Sequence, residues 1–230
     1  MRSTSVLLVR FLSIIATLLA ISLCNGNTGV PCKDNERRAL LMFKQELHDS
    51  SNRPSSWIGH GEGDCCTWLG VVCGNLTGHV RELHLGNYYL GANFQGIIPH
   101  QLGNLSSLRY LDLHGNYFEV NNLQWISGLS MLQHLDLSGV NLSKASDSIQ
   151  ETNMVSNSLL EYLDMSDCRL HRIPGGIANM ASLRVLNLER NSINSTIPKW
   201  LYSLSHLESL FLSDNDLHGP ISTCESHRQS

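Results

Sequence analysis

From His79 onward, apolar and polar residues recur in one six-residue phrase, apolar at its first, fourth and sixth positions. The phrase reads Val80-Arg81-Glu82-Leu83-His84-Leu85, then Leu108-Arg109-Tyr110-Leu111-Asp112-Leu113 and Leu132-Gln133-His134-Leu135-Asp136-Leu137. It returns as Leu160-Glu161-Tyr162-Leu163-Asp164-Met165, Leu183-Arg184-Val185-Leu186-Asn187-Leu188 and Leu207-Glu208-Ser209-Leu210-Phe211-Leu212. The middle leucines step along the chain by 28, 24, 28, 23 and 24 residues. Alternation with period two sends the leucines to one side and the intervening residues to the other, so each phrase predicts one short strand. No phrase can bury its own leucines alone. Stacked neighbours can, and stability then depends on adjacent units.

Asn116, Asn191 and Asn215 stand three residues past the last apolar position of their phrases. Each is expected to bond the backbone of the following turn. The fourth phrase has Cys168 there, and an N/C alternation at that place is the leucine-rich-repeat pattern, whose period is about 20–29 residues. Cys168 is therefore expected as a buried, reduced thiol.

The opening segment obeys a different rule. Val6–Leu23 is apolar apart from Arg10, Thr17 and two serines, and the stretch Phe11–Cys24 after Arg10, 14 residues without charge, is shorter than the ~20 residues that cross a bilayer. Small residues at Ser22, Cys24 and Gly26 offer cleavage sites, so residues 1–26 read as a secretory signal peptide, with an uncleaved anchor as the competing reading. Removing it leaves 14 basic against 20 acidic side chains. That balance excludes a strongly basic nucleic-acid binder. The 38 leucines and 19 asparagines of the 230 residues then read mainly as repeat spine, turn ladder and signal segment.

In a secreted chain, cysteines are read as disulfides. Cys32, Cys65, Cys66 and Cys73 cluster ahead of the repeats. Between the first two, Asp34–Leu47 predicts a helix with Leu40, Phe43 and Leu47 on one face and Asp34 as its N-cap, ended by Ser50–Ser56. Adjacent Cys65 and Cys66 point apart in extended backbone, so the simplest pairing is Cys32 with Cys65 and Cys66 with Cys73. Helix, bridges, Trp57 and Trp68 together predict a lid over an apolar edge. Zinc is the competing reading, weakened by spacing that lacks paired C-x₂₋₄-C.

Gly96-Ile97-Ile98-Pro99, Ile173-Pro174, Ser195-Thr196-Ile197-Pro198 and Gly219-Pro220-Ile221 resemble the G-x-I-P element of plant-specific leucine-rich repeats. Glu36-Arg37, Ala39-Leu40-Leu41, Phe43-Lys44, Ser56-Trp57, Cys65-Cys66, Trp68, Gly70-Val71-Val72-Cys73 and Thr77-Gly78-His79-Val80 resemble the plant N-terminal capping domain. Together they are similar to plant receptor-like proteins of the fungal-xylanase-receptor group, over roughly residues 30–221. The resemblance implies an α/β repeat solenoid: a right-handed superhelix, short parallel strands on its concave face, and a disulfide-stapled helical N-terminal cap. The expected divisions are signal peptide 1–26, cap 27–78, about six repeats 79–223, and a polar tail 224–230 without a capping pattern. Such receptors carry more repeats and a membrane anchor, so the expectation is a portion truncated before them.

No G-x-S-x-G, H-E-x-x-H, P-loop or dinucleotide fingerprint occurs, and no catalytic, metal or cofactor role is assigned. His84, His114 and His134 are expected on the exposed strand face but in different columns, as solvated side chains. One outward column reads Glu82, Tyr110, His134, Tyr162, Val185, Ser209; its neighbour reads His84, Asp112, Asp136, Asp164, Asn187, Phe211. From these, Glu82, His84, Tyr110, Asp112, His134, Asp136, Tyr162, Asp164, Asn187 and Phe211 are the candidate ligand-binding residues, with Tyr110 and Tyr162 as anchors. The aspartate column reads as structural with an acidic tint. The partner expected is an extracellular peptide or protein of basic character, a microbial elicitor or enzyme, with a co-receptor kinase beside it. Sequons at Asn75, Asn104, Asn141 and Asn194 predict glycosylation. The expected function is the extracellular recognition module of a plant defence receptor-like protein, in the apoplast. The alternatives are a secreted inhibitor of a microbial cell-wall-degrading enzyme, resembling polygalacturonase inhibitors, and a non-functional fragment.

Overall fold

Each of the six leucine phrases lays down one strand. A computed structural model describes residues 29–49, 63–87, 94–145 and 159–219. The signal segment, Ser50–Ser56, Trp57, Pro220-Ile221, Cys224 and the polar tail lie outside them. Strands β3 (Val80–His84), β5 (Tyr110–Asp112), β7 (His134–Asp136), β8 (Tyr162–Asp164), β9 (Val185–Asn187) and β10 (Ser209–Phe211) pair parallel, in chain order. β2 (Val71–Cys73) of the cap closes this seven-stranded sheet by pairing antiparallel with β3. Register is constant: Leu83, Leu111, Leu135, Leu163, Leu186 and Leu210 lie opposite one another. The first five are wholly buried, while Leu210 on the last strand is 39% exposed.

The Ile-Pro elements open the opposite side of each repeat. Pro99, Pro174 and Pro198 precede single 3₁₀ turns at His100–Asn104, Gly175–Asn179 and Lys199–Ser203. Proline's fixed φ and missing N–H suit a residue that starts a helical turn and donates nothing. Ile98 and Ile173 beside them are buried.

The ladder forms as expected. Asn191 Nδ2 donates to the carbonyls of Met165, Leu188 and Glu189, and its Oδ1 accepts from the Cys168 and Leu170 N–H groups. Asn116 and Asn215 repeat the scheme. Cys168 is buried and free, its thiol donating to the Leu137 carbonyl at 3.1 Å, and burial pushes its pKa up far beyond that of an exposed thiol. The residue before each ladder position adopts left-handed backbone: Gly115 (φ 62°), Gly139 (82°), Asp167 (54°), Arg190 (53°) and Asp214 (56°). This bend aims the N–H of Gly115, Gly139, Asp167 and Arg190 at a carbonyl of the next repeat.

A second, smaller sheet leaves no mark in the leucine phrases. β1 (His48–Asp49), β4 (Phe94–Ile97) and β6 (Tyr117–Glu119) pair in the order β1-β4-β6, and single bridges at Glu119–Asn141 and Thr196–His218 continue such pairing between later repeats.

The described residues from 31 to 219 belong to one unit, and the cap is built into it. Helix α1 (Asp34–Glu46) buries Glu36, Ala39, Leu40 and Phe43. Phe43 meets Phe118 of β6, which stacks on Phe94 of β4. Two expectations shift by a residue. Lys33 rather than Asp34 takes the N-cap position, and Asp34, inside the first turn, pairs with Arg37. Leu47 follows the helix as its C-cap in extended backbone, partly buried against the core. The disulfides join Cys32 to Cys65 and Cys66 to Cys73. Cys65–Thr67 is a 3₁₀ turn, not extended backbone. Three residues per turn still set neighbouring side chains ~120° apart, so the adjacent cysteines reach different partners. Asp64 Oδ1 accepts from both the Cys32 and Cys66 N–H groups, and Trp68 is buried beneath. Glu36, fully buried, latches cap to repeats: its carboxylate meets His79 Nδ1 at 2.8 Å and accepts from the Val80 N–H at 2.7 Å.

Candidate recognition face

On the outward face of the large sheet, constant register turns sequence columns into rows of adjacent side chains. Glu82, Tyr110, His134, Tyr162, Val185 and Ser209 lie opposite one another, as do His84, Asp112, Asp136, Asp164, Asn187 and Phe211. Val72 of β2 lies opposite Glu82 and extends the first column into the cap, a member that the sequence phrase alone misses.

Parallel strands sit ~4.8 Å apart, close to the stacking distance of aromatic rings. The first column uses this. Tyr110 and His134 stack with centroids 4.1 Å apart and planes within 8°, and His134 and Tyr162 at 4.1 Å and 6°. His84, one column over by register, leans across to stack on Tyr110 at 4.6 Å. It also meets Glu82 through Nε2 at 2.7 Å. The two histidines in different columns therefore join one four-ring stack. His114 does not: it follows β5 and turns back to Asp112, Nδ1 to Oδ1 at 2.6 Å.

Stacking also divides the two tyrosines expected to be anchors. Both faces of Tyr110 are covered by imidazoles, so it offers a ligand only its edge. Tyr162, at the end of the stack, has one face against His134 and points its hydroxyl at Asp164 Oδ2, 3.3 Å away. Burial and the nearby Asp164 and Asp136 carboxylates push its phenol pKa far up, so it stays neutral and able to donate. Burial holds the His134 pKa below the ordinary histidine value, against the opposing pull of Asp112 and Asp164.

The acidic column faces the turns. Asp112 and Asp164 are only 5% and 7% exposed. Each aspartate caps the backbone two residues on. Asp112 Oδ1 accepts from the His114 N–H, and Asp136 and Asp164 accept from both N–H and hydroxyl of Ser138 and Ser166. Asn187 does the same for Glu189 and donates Nδ2 to Asp164 Oδ2 at 2.8 Å. Burial raises the Asp136 pKa, with its neighbours Asp164 and Asp112 adding to the shift. Donor atoms of Asp112, His114 and Asp136 lie within 4.8 Å of one another, and the His114–Asp112 hydrogen bond together with the register that sets Asp136 opposite Asp112 accounts for that proximity. At the far end Phe211 is exposed.

The four sequons stand off these strands. Asn75 lies in the exposed turn between β2 and β3, Asn104 ends a 3₁₀ turn, and Asn194 is exposed on the path from ladder to 3₁₀ turn. Asn141 is half-buried, its Oδ1 accepting from the N–H and hydroxyl of Ser143. Among the described residues, no helix is long and apolar enough to cross a membrane.

Residues 33–74 match the family described as leucine rich repeat N-terminal domain, and residues 79–142 and 158–217 match the leucine rich repeat family. Among curated proteins, the receptor-like protein EIX1 of Solanum lycopersicum is 31% identical over 93% of this chain, and the aligned part is 27% of its own length. Among solved structures, the Arabidopsis receptor kinase HAESA, in complex with the peptide hormone IDA and the co-receptor SERK1, aligns with a TM-score of 0.66. It is 25% identical over 81% of this chain and 30% of its own. A plant ice-binding protein aligns with a TM-score of 0.64 and 27% identity, over 82% of this chain and 58% of that one. The chain thus spans about a quarter of the length of the curated relative named above.

Proposed function

The chain belongs to the leucine rich repeat family, and from that premise we propose that it is the extracellular recognition module of a plant defence receptor-like protein, reading a basic peptide or protein on its concave face. The four-ring stack is the observation that carries this reading. Rings locked against one another lose little freedom on binding, and preorganisation of this kind favours affinity. Their exposed edges and the Tyr162 hydroxyl run beside the Asp112, Asp136 and Asp164 carboxylates, which favours a lysine- or arginine-bearing partner. The sequons, all off the strands, leave this face clear of glycans. The resemblance of cap and repeats to plant receptor-like proteins of the fungal-xylanase-receptor group supports a microbial elicitor or enzyme as the source of the partner, and the HAESA assembly with its co-receptor SERK1 supports a co-receptor kinase as a second one.

The test uses the purified chain, an extended heptalysine peptide and a heptaglutamate control. The basic peptide is expected to bind, weakening with added salt, and Tyr162→Ala to lose about tenfold in affinity, ~1.4 kcal/mol. Equal binding of the two peptides, or no effect of Tyr162→Ala, would overturn the reading. Inhibition of a pectin-degrading enzyme by the chain, relieved by the same substitution, would instead support the secreted-inhibitor role.

A further inference from the structure

A cavity of about 750 Å³ opens away from the ring stack, between two successive repeats. One wall is His171, Arg172, Ile173 and Gly175; the other is Asn194, Ser195, Thr196, Pro198 and Trp200. The second wall contains a complete sequon, Asn194-Ser195-Thr196. Among the described residues the exposed Asn194 side chain makes no hydrogen bond, whereas Asn141 is tied to Ser143. At Gly175 on the facing wall, a Cβ would meet nothing within 4 Å, so that wall stands open.

We propose that Asn194 carries an N-linked glycan whose first sugars fold back into this cavity and staple the two repeats together. The bond forms between Asn194 Nδ2 and C1 of the reducing-end N-acetylglucosamine of a lipid-linked oligosaccharide donor. Nδ2 gives up one proton to the transferring enzyme, and the lipid pyrophosphate departs. The seated glycan then has the chemistry of the walls to meet. The apolar face of a pyranose packs on Trp200, and its hydroxyls and acetamide meet the donors of Arg172 and His171 opposite. The volume lies in the 300–1,000 Å³ range of pockets that enclose small ligands. The tether makes docking intramolecular, at millimolar effective concentration, so weak contacts suffice. Because the walls belong to different repeats, an occupied cavity stabilises the interface on which a solenoid depends.

The inference rests on the extracellular reading, and the experiment separates the two. The chain is secreted from a yeast host that attaches high-mannose glycans, and site occupancy is read by peptide mass. Under native conditions, endoglycosidase H is expected to trim the Asn194 glycan about tenfold more slowly than that on the exposed Asn75 turn. After denaturation both should be cut alike. Asn194→Gln and Thr196→Ala, which remove the same glycan in different ways, should each lower Tm by about 2–4 °C. Asn75→Gln should not. Trp200→Ala should abolish the native protection and Trp200→Phe keep most of it. Sugar at Asn75 but none at Asn194, or equal native trimming at both, would overturn this inference alone. Sugar at no sequon would overturn the extracellular reading with it.

Discussion

His134 is held between two tyrosine rings, so its proton is coupled to the integrity of the stack. The groups facing it are Tyr110, Tyr162, Asp112, Asp164 and His84. Burial outweighs the two carboxylates and sets its folded pKa below the unfolded value of about 6.5. Below that value the unfolded chain binds more protons, so this contribution to stability is complete above about pH 6.5 and lost as pH falls through the folded pKa. A proton NMR titration should place the His134 midpoint below the ordinary histidine value. His134→Phe, which keeps a ring and removes the proton site, should flatten part of the fall in Tm on the acid side. A midpoint at or above the ordinary value would mean that the carboxylates, not burial, dominate.

The turn after each strand shows how an element is made to close. Left-handed backbone costs an ordinary L-residue ~1–2 kcal/mol and glycine almost nothing. Arg190 adopts it at φ 53°, and beyond the backbone bond that glycine would also make, its side chain gains only an exposed, 3.8 Å approach to Asp214. Arg190→Gly should therefore raise stability, by up to about 1 kcal/mol after the added freedom of the unfolded chain is subtracted. Gly115→Ala should lower it by about 2 kcal/mol or more, because the new Cβ would also lie 2.5 Å from the Asn87 carbonyl oxygen. Urea denaturation of the two variants checks both signs. The strands and the asparagine ladder were legible in the sequence because side chains dictate them: leucine spacing and one amide per turn. The β1-β4-β6 sheet was not, since it is held by backbone pairing between repeats and leaves no repeated side-chain phrase. Nor was the ring stack complete, because register alone sets His84 opposite Asp112 and only its length lets it lean to Tyr110. The engagement of the aspartates did leave a signal. Asp136-Leu137-Ser138 and Asp164-Met165-Ser166 have the acid-then-hydroxyl spacing of a side chain capping its own turn.

At the scale of the whole molecule, one buried carboxylate couples the cap to the solenoid. Glu36→Ala would orphan the buried Val80 N–H and remove the partner of the half-exposed His79, a loss of roughly 2–3 kcal/mol, carried mainly by the buried bond. Amide hydrogen exchange should show protection lost first along β3 while β8 and β9 keep theirs, since stability in stacked repeats passes between nearest neighbours. Uniform loss along the chain would instead mean that cap and repeats unfold as one. The constant register of the large sheet has a further consequence. Inward positions are fixed by the spine and the aspartate column is tied to the turns, while the outward column from Glu82 to Ser209 is set side by side only by the register of its strands, so that column is a row of cells addressed by repeat. Altering one residue of that column changes one cell and the rings beside it, and leaves the spine and the capped turns alone. Such a surface separates heritable variation in what is recognised from the requirement to fold, and new specificities can be searched one position at a time.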